Sequence, residues 1–367
     1  MNKSIGKDSC TGCATCQNIC PNNCISMVMD KEGFLFPKVD EEKCTKCNEC
    51  KRRCPAITRD NLSEIDIVKE YPTFVGYSKD QNVIDNCTSG GAFYELSRFI
   101  IQNNQGIVYG AAYDKKFHVR HERIDSMEQY HRISGSKYVQ SEIGMIFRRV
   151  KEDLVSGKMV LFSGCGCQIV ALKSYLGKEF ENLLTVAIVC HGVPSPGVWD
   201  SYISKFRNVL KINFRDKSKE DWCNYSFSIT TGDKEYTWKE DNNPYTYSFI
   251  KDIIIRKSCF ECKFKSYRCD ADVMIGDAWG IQNYCRKSFN PKGTSLIIIY
   301  TEKGRSIISR IYDRMKLECV SGIDVYRYNP RIVKSIELKK LRHRFSKLSK
   351  FFSWRICLRM VYKSENR

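Results

Sequence analysis

Residues 10–21 read CTGCATCQNICP, and residues 44–55 read CTKCNECKRRCP. Each stretch carries four cysteines in the order C-x-x-C-x-x-C-x-x-x-C, and a proline follows the last of them. The eight residues are Cys10, Cys13, Cys16, Cys20, Cys44, Cys47, Cys50 and Cys54. Zinc sites explain this spacing poorly, because zinc motifs bring their cysteines in pairs. The two stretches therefore indicate another kind of metal centre.

The spacing is typical of bacterial ferredoxins that hold two 4Fe-4S clusters. Three closely spaced thiolates bind one cluster, and the fourth crosses to the other. We therefore predict one cluster on Cys10, Cys13, Cys16 and Cys54, and a second on Cys44, Cys47, Cys50 and Cys20. Residues 25–39 predict a short hairpin between the two stretches, with its turn at Gly33. Cys24 is interpreted as a small buried residue, with a spare cluster ligand as the alternative.

Composition narrows the class of protein. The 367 residues include 20 cysteines, and the N-terminal residues show no signal pattern. These two features indicate that the cysteines bind metal in a reducing compartment and that the protein is cytoplasmic. No apolar run approaches the roughly 18 residues of a membrane span. The net charge is +18, and half of it comes from residues 334–367. Such a basic surface suits an acidic partner, a polyanionic substrate or anionic lipid, and charge alone does not predict nucleic-acid binding.

The hydrophobic pattern predicts an α+β chain. We divide it into a dicluster ferredoxin domain (1–58), a linker (59–72), an α/β body with a mixed sheet (73–330) and a basic helical tail (331–367). Short apolar strands alternate with helices from residue 74 to residue 189, and the alternation over 212–237 predicts antiparallel strands. The last strand is expected at 294–301. Ligands of open α/β sheets bind at the carboxyl ends of strands, where residues 163–168 and 190–194 should lie.

Seven motifs between residues 74 and 301 carry a family resemblance. They are TSGGA at 88–92, GSKYVQS at 135–141, LFSGCGCQ at 161–168, CHGVPS at 190–195, FRDK at 214–217, CFEC at 259–262 and IGDAWG at 275–280. With them the chain resembles the beta subunits of coenzyme F420 hydrogenase and dehydrogenase, and their relatives the 7-hydroxymethyl chlorophyll a reductases and ferredoxin-type vinyl reductases. The resemblance implies a flavin domain that exchanges electrons with iron–sulfur clusters, with FAD as the expected cofactor and FMN as the alternative.

Two of these motifs are candidates for holding the flavin. Ser89, Gly90 and Gly91 precede a helix, where backbone amides and the helix dipole favour a phosphate; a plain helix cap is the alternative. The second candidate motif consists of Ser136, Lys137 and Tyr138. It offers a hydroxyl, a cation and an aromatic ring in one turn. The alternative interpretation of these residues is a solvated loop.

The remaining motif cysteines imply a third 4Fe-4S cluster near the flavin. Its expected ligands are Cys167, Cys190, Cys259 and Cys262. The alternative is that Cys167 or Cys190 is simply buried or catalytic and that Cys259 and Cys262 bind something else. The family usually has Gly-Thr-Pro-Cys where residues 164–167 read GCGC, so Cys165 is an alternative ligand, and Cys269 is a further contender. We interpret the other cysteines as structural, namely Cys87, Cys223, Cys285, Cys319 and Cys357.

Acid–base candidates are His191, Lys137 and Asp277. Reduction of an unsaturated bond needs a proton donor, and His191 titrates near neutrality. His191 could equally hydrogen-bond near the cluster sulfurs. Trp279 is interpreted as a core residue, with flavin stacking as the alternative.

After Pro330 the pattern predicts one basic amphipathic helix. Its apolar positions are Leu338, Leu341, Phe345, Leu348, Phe352, Ile356 and Met360. The helix would dock on the inner face of an anionic membrane or on an acidic partner enzyme. The alternative is that it packs on its own domain.

Together these features predict a flavin-dependent iron–sulfur oxidoreductase that exchanges electrons with ferredoxin or another redox partner. Its substrate would be a small molecule, by resemblance an intermediate of polysaccharide or isoprenoid metabolism. The alternative is an electron-relay subunit of a larger hydrogenase or dehydrogenase complex, without a substrate of its own.

Overall fold

The computed structural model describes residues 6, 8–59, 70–218, 220–239 and 241–365. The predicted linker at 59–72 lies for the most part outside the described residues. Residues 8–59 form a small module of short helices around the predicted hairpin. Its elements are α1 (Thr15–Ile19), β1 (Ile25–Met29), β2 (Leu35–Val39), α2 (Glu49–Arg52) and α3 (Pro55–Thr58).

The predicted hairpin is confirmed. Ile25 pairs with Val39 and Met29 with Leu35 in antiparallel register. Gly33 adopts a positive φ of 81°, and a Cβ there would lie 2.4 Å from the Ser195 hydroxyl oxygen. Glycine is therefore required both by the turn and by the close contact with the body of the protein.

The body contains an eight-stranded mixed sheet in the order β13-β3-β12-β11-β7-β6-β4-β5. Its strands are β3 (Thr73–Ser78), β4 (Ile107–Tyr113), β5 (Val119–Ile124), β6 (Val160–Cys165), β7 (Leu183–Ile188), β11 (Val273–Asp277), β12 (Ser295–Ile299) and β13 (Met315–Val320). The central neighbours β4, β6, β7 and β11 are parallel, and the outer pairs are antiparallel. This is the mixed sheet that the sequence predicted.

Helices cover both faces of this sheet. The helices of the body are α4 (Gln81–Asn86), α5 (Ala92–Arg98), α6 (Tyr130–Ile133), α7 (Ile146–Val155), α8 (Gly166–Leu176), α9 (Pro196–Ile203), α10 (Pro244–Ile250), α11 (Ile281–Tyr284), α12 (Glu302–Ile311) and α13 (Gly322–Tyr328). Alternate strand residues face opposite layers: Tyr109 and Phe162 pack with α7 and α8, whereas Val108 and Leu161 pack with α5 and α12. This alternation follows from the two-residue period of a strand.

A three-stranded antiparallel sheet lies beside the large one. Its strands are β8 (Val209–Asp216), β9 (Ser226–Thr231) and β10 (Glu235–Lys239). Phe214 and Phe227 stack at 4.8 Å between ring centroids and pack against Trp199 of α9. The aromatic alternation over 212–237 predicted these strands correctly.

One strand was missed by the sequence pattern. We expected the last strand at 294–301, but β13 follows it and pairs with β3 at the sheet edge. β13 buries Met315 and Leu317, whereas Lys316 and Cys319 are exposed. A six-residue edge strand with only two buried apolar side chains gives a weak signal.

The predicted single tail helix is wrong. The tail forms two helices, α14 (Lys340–Leu348) and α15 (Trp354–Glu365), which pack on each other. Phe345, Leu358 and Val361 are buried in the core that also contains Trp199 and Tyr245. One face of the tail therefore packs on its own domain. Among the described residues, no helix is long and apolar enough to cross a membrane.

The small module is docked on the body by direct hydrogen bonds. Thr15 donates its hydroxyl to the Ala171 carbonyl of α8 at 3.2 Å. Arg148 of α7 donates to the carbonyls of Asn18 and Cys20 at 2.8 and 2.9 Å. These bonds fix the first cysteine stretch against the sheet layer that carries α7 and α8.

Candidate redox site

The structure brings the fourth cysteine of the second stretch to the first three of the first. Burial raises the pKa of Cys16, and its neighbours Cys13, Cys10 and Cys54 raise it further. Burial, with Cys13 nearby, also raises the pKa of Cys54 to about 11. We refer to Cys10, Cys13, Cys16 and Cys54 as the inner set. The arrangement is the crossed one that the spacing predicts, and the ligand role of these thiols stays a prediction.

The other four thiols form an outer set, namely Cys20, Cys44, Cys47 and Cys50. Cys50 has Cys47, Cys20 and Cys44 as its charged neighbours, which raise its pKa together with burial. Cys47 is exposed. Cys24 is buried as expected, but its Sγ lies 3.3 Å from that of Cys20. Its position therefore leaves both interpretations of Cys24 open.

A third group of thiols lines an internal cavity at the carboxyl ends of β6 and β7. Its members are Cys165, Cys167, Cys190, Cys259 and Cys262. Cys165 hydrogen-bonds to Cys190, which lowers the pKa of Cys190 against the effect of burial, and Lys265 and His191 lower it further. We refer to these five residues as the cavity set. Cys269 lies outside the cavity lining, packed in the core beneath Gly166.

Local backbone geometry positions the cavity set. Cys165 caps α8, its thiol accepting from the Gln168 amide while the Gln168 side chain bonds back to the Cys165 amide. A Cβ at Gly166 would lie 2.3 Å from the Phe264 carbonyl oxygen. Glycine at this position therefore lets the loop that follows Cys262 approach the start of α8.

The cavity set and the inner set are neighbours. Burial raises the pKa of Cys167 well above its ordinary value, and Cys262, Cys190, Cys259 and Cys13 add to the effect. Thr11 of the first stretch also lines the cavity. The predicted first and third clusters would therefore adjoin each other.

The surroundings of these thiols bear on their predicted role as iron–sulfur ligands. Within the described ranges, no three His, Cys, Asp or Glu side chains lie close enough together to hold one metal ion. Burial and mutual repulsion oppose ionisation of Cys16, Cys167 and Cys259, and the iron of a cluster would supply the missing positive charge.

Two regions of the chain match the models of known protein families. Residues 9–57 match the family model of the 4Fe-4S dicluster domain. Residues 157–324 match the family model of the C terminus of the coenzyme F420 hydrogenase/dehydrogenase beta subunit. The chain is thus similar to a 4Fe-4S dicluster domain over residues 9–57 and to the C-terminal part of such a beta subunit over residues 157–324.

Comparisons with solved structures and with curated proteins do not extend these matches. A chain from the F420-reducing NiFe hydrogenase complex of Methanosarcina barkeri is 16% identical, with a TM-score of 0.49, covering 83% of this chain and 94% of that one. No curated protein matches significantly. The dicluster domain makes this an iron–sulfur electron-transfer protein, and the beta-subunit domain places it among redox proteins. The predicted relation to chlorophyll reductases stays a prediction.

The candidate flavin residues lie along the carboxyl edge of the large sheet. Ser89 donates to the Thr294 carbonyl at 3.1 Å, and a Cβ at Gly90 would lie 2.4 Å from both the Gly76 oxygen and the Ser295 nitrogen. Gly91 caps α5 with a φ of 86°. Close packing on β3 and β12 therefore explains why glycines occupy these positions. Phosphate binding by this motif stays a prediction.

The second candidate motif is only partly exposed. Lys137 donates to the carbonyls of Ser134 and Gly135 at 2.7 and 3.3 Å. Burial lowers its pKa to about 7. Tyr138 stacks on Phe249 with 4.6 Å between the ring centroids. Tyr138 therefore packs on the body, Ser136, Lys137 and Tyr138 are all half-buried, and their flavin role stays a prediction.

The three acid–base candidates occupy the same edge in different surroundings. His191 lines the cavity, and its Nε2 lies 2.6 Å from Asp252 Oδ1. Burial alone would raise the pKa of Asp252, but hydrogen bonds from His191 and Lys339 lower it. Asp277 pairs with Arg215 at 2.7 Å and accepts from the Trp222 indole at 3.0 Å. His191 is therefore the candidate that lies beside the cavity set.

Arg215 is a site residue that the sequence analysis did not single out. Its guanidinium lies 4.0 Å from the Tyr225 ring centroid and 4.9 Å from that of Trp279. Burial opposes its charge, but Asp277, Tyr138 and Tyr225 together raise the pKa of Arg215 above its ordinary value. Its Nε is buried and has no hydrogen-bond partner among the described residues. The FRDK motif at 214–217 was the available signal.

Two further residues tie the quoted motifs together. His121 is buried, with Nδ1 2.6 Å from the Ser141 hydroxyl and Nε2 2.9 Å from the Ser163 carbonyl. Burial lowers the pKa of His121 to about 4, so the imidazole is neutral near pH 7. His121 thus holds the loop at 135–141 against the end of β6, and no motif in the sequence marked it.

Arg256 joins the dicluster domain to the body. It is fully buried and donates to the carbonyls of Cys10 and Leu35 at 2.8 and 2.9 Å, with Nη2 3.9 Å from the Cys10 thiol. It also donates to the Gln140 side chain at 3.0 Å. A Cβ at Gly12 would lie 2.8 Å from its Nη1, so glycine makes room for the guanidinium.

Replacing Arg256 with glutamine should make the inner cluster harder to reduce. Reduction adds negative charge beside Cys10, and the guanidinium stabilises that charge at short range. We expect the reduction potential to fall by an amount on the order of 60 mV, a tenfold change for a one-electron couple. Redox titration followed by electron paramagnetic resonance measures it. Arg256→Lys, which keeps the charge, should shift it less; equal potentials in wild type and Arg256→Gln, with iron content intact, would contradict the role.

Proposed function

We propose that the protein is a flavin-dependent iron–sulfur oxidoreductase that exchanges electrons with ferredoxin or another redox protein. The observation that carries this proposal is that three groups of thiols adjoin one another across the molecule. Cys16 of the inner set packs beside Cys20, Cys44 and Cys50 of the outer set. Cys13 of the inner set neighbours Cys167 of the cavity set, and His191 lines the cavity. An electron could therefore cross from the surface to the sheet edge in short steps.

The residues at the sheet edge suit a flavin. His191 contacts Phe249, Phe249 stacks on Tyr138, and the Tyr138 hydroxyl lies near enough to Arg215 to influence its pKa. The unpartnered Nε of Arg215 gives a buried donor for the flavin ring system. FAD is the expected form and FMN the alternative. Bound flavin would combine single electrons into the pair that a hydride transfer needs.

The acid–base roles follow from the hydrogen bonds. His191 bonds to Asp252 through Nε2, so a proton exchanged with a substrate would be carried on Nδ1. Lys137 has a pKa of about 7 and can gain or lose a proton near neutrality. Asp277 is held by Arg215 and the Trp222 indole, which makes it a positioning residue for Arg215.

The outer set is the proposed entry point for electrons. Cys47 is exposed, and the loops around it carry the exposed cations Lys43, Lys46 and Arg52. Lys43 and Arg52 already pair with Asp40 and Glu49. Positive potential near an exposed cluster would steer an acidic redox protein towards it. A small polysaccharide- or isoprenoid-pathway intermediate is the proposed substrate, on family resemblance alone.

A relay subunit is the second candidate. The matched family is named for subunits of hydrogenases and dehydrogenases, and the cavity that we describe is lined by thiols. A relay would pass electrons from the outer set to a partner enzyme and would need no flavin.

The decisive experiment adds reduced ferredoxin to anaerobic protein that has been incubated with FAD or FMN. Bleaching of the bound flavin supports the oxidoreductase, and absence of flavin binding supports the relay. The double variant Arg215→Gln, Asp277→Asn removes the buried charge pair without leaving one charge alone. We expect it to bind flavin about tenfold to a hundredfold more weakly, the worth of a hydrogen bond to a charged group. Arg305→Gln, at an exposed position on α12, is the matched control.

A further inference from the structure

The outward face of the tail is both basic and apolar. Its exposed members, which we call the tail surface, are Lys340, His343, Arg344, Lys347, Lys350, Phe351, Phe352, Arg355, Ile356, Arg359, Met360 and Lys363. The opposite faces of α14 and α15 pack on the body through Phe345, Leu358 and Val361. The exposed positions are therefore not needed for folding of the tail.

The charge of the tail surface is of one sign. No acidic residue occurs between Leu338 and Ser364. None of the exposed Lys and Arg side chains of the tail surface forms a salt bridge with any residue in the described ranges. Lys205 at the end of α9 extends the cluster: partial burial lowers its pKa, and repulsion from Arg359 and Arg355 lowers it further. Cations crowded in this way are stabilised by a polyanionic surface.

Apolar side chains project from the same surface. Phe351 is 81% exposed and Phe352 46% exposed, and both lie in the turn between the two helices. Ile356 and Met360 follow one helical turn apart on α15 and are 46% and 37% exposed. Large apolar side chains beside Lys and Arg are typical of helices that lie in a membrane interface.

We propose that the tail surface docks the protein on a membrane that contains anionic phospholipids. Phe351 and Phe352 would enter the boundary between head groups and acyl chains, and the surrounding cations would bind the head-group phosphates. The inference goes beyond the proposed function and does not depend on the flavin.

The position of the tail favours a membrane over an acidic redox protein. Arg342 and Ser346 of α14 bond to Glu32, and Trp354 bonds to the Lys31 carbonyl, so the tail sits at the turn of the β1–β2 hairpin. Cys24 and the outer set lie at the other end of that hairpin. A redox protein would have to approach the outer set, so docking at the tail leaves that entry point open.

The test is co-sedimentation of the full chain, purified anaerobically, with vesicles. Vesicles of phosphatidylcholine with phosphatidylglycerol should bind the protein, vesicles of phosphatidylcholine alone should not, and added salt should weaken binding. Phe351→Ser with Phe352→Ser should reduce the partition coefficient by at least about tenfold, because two phenylalanines lose their burial. Changing Lys350, Arg355 and Arg359 to glutamine should reduce it similarly and flatten the salt dependence.

Matched controls exclude general effects of surface change. Val155 is 69% exposed on α7, and Arg305 and Arg310 are exposed on α12. Val155→Ser and the double variant Arg305→Gln, Arg310→Gln should bind vesicles as the wild type does. Absence of binding to anionic vesicles at low salt would overturn the proposal. So would unchanged binding of the phenylalanine variant, or capture of an acidic redox protein by the tail surface without any binding to vesicles.

Discussion

Replacing Cys259 and Cys262 with serine is expected to lower the iron content from about twelve to about eight atoms per chain, since each 4Fe-4S cluster holds four. Both thiols line the cavity next to Cys167 and Cys190. Electron transfer from ferredoxin to the sheet edge should fall to near background, because the site between the inner set and the flavin candidates is lost. Iron and sulfide analysis with stopped-flow absorbance measures both effects.

The control for this prediction is the pair Cys285→Ser and Cys319→Ser. Cys319 is exposed on β13 and Cys285 bonds to the Ser288 hydroxyl, and neither lines the cavity. These changes should leave iron content and electron transfer unchanged. An iron content that stays the same in the Cys259, Cys262 variant would show that the cavity set does not hold a cluster.

Serine at Cys54 should remove the inner cluster, although Cys54 belongs to the second cysteine stretch. The single variants Cys13→Ser and Cys54→Ser should each lose about four iron atoms, and their combination should lose no more, because both thiols hold the same cluster. The combination of Cys13→Ser with Cys20→Ser should lose about eight, since Cys20 belongs to the outer set.

Comparing the iron content of the single and double variants distinguishes the two ligand arrangements without assigning spectra to individual clusters. Cys16 has Cys13, Cys10 and Cys54 as neighbours, whereas Cys50 has Cys20, Cys44 and Cys47. If each stretch instead held its own cluster, Cys13→Ser with Cys54→Ser would lose both, and Cys13→Ser with Cys20→Ser would lose one. Electron transfer from ferredoxin should stop in every variant that lacks the inner cluster.

Local pattern predicted much of this fold. The cysteine spacing identified the dicluster module, and the turn at Gly33 identified its hairpin. Apolar runs located β4, β6 and β7 because parallel strands buried on both faces are almost continuously hydrophobic. β13 was missed because an edge strand buries only alternate residues, and the break between α14 and α15 was missed because the apolar spacing continues through the turn at 349–353.

The candidate site was only partly visible in the sequence. Motifs placed Cys167, Cys190 and His191 at strand ends, and all three line the cavity. Arg256 and His121 could not be found, because their roles come from contacts with residues far away in the chain, such as Cys10 and Ser163. Arg215 lay in a motif, but only the fold shows its pairing with Asp277 and its buried Nε.

The measurement that tests the account most directly is the content of iron, sulfide and flavin in anaerobically purified protein. The account predicts about twelve iron atoms, about twelve sulfides and one flavin per chain. About eight iron atoms with no flavin, even after incubation with FAD and FMN, would contradict the oxidoreductase and leave a two-cluster relay.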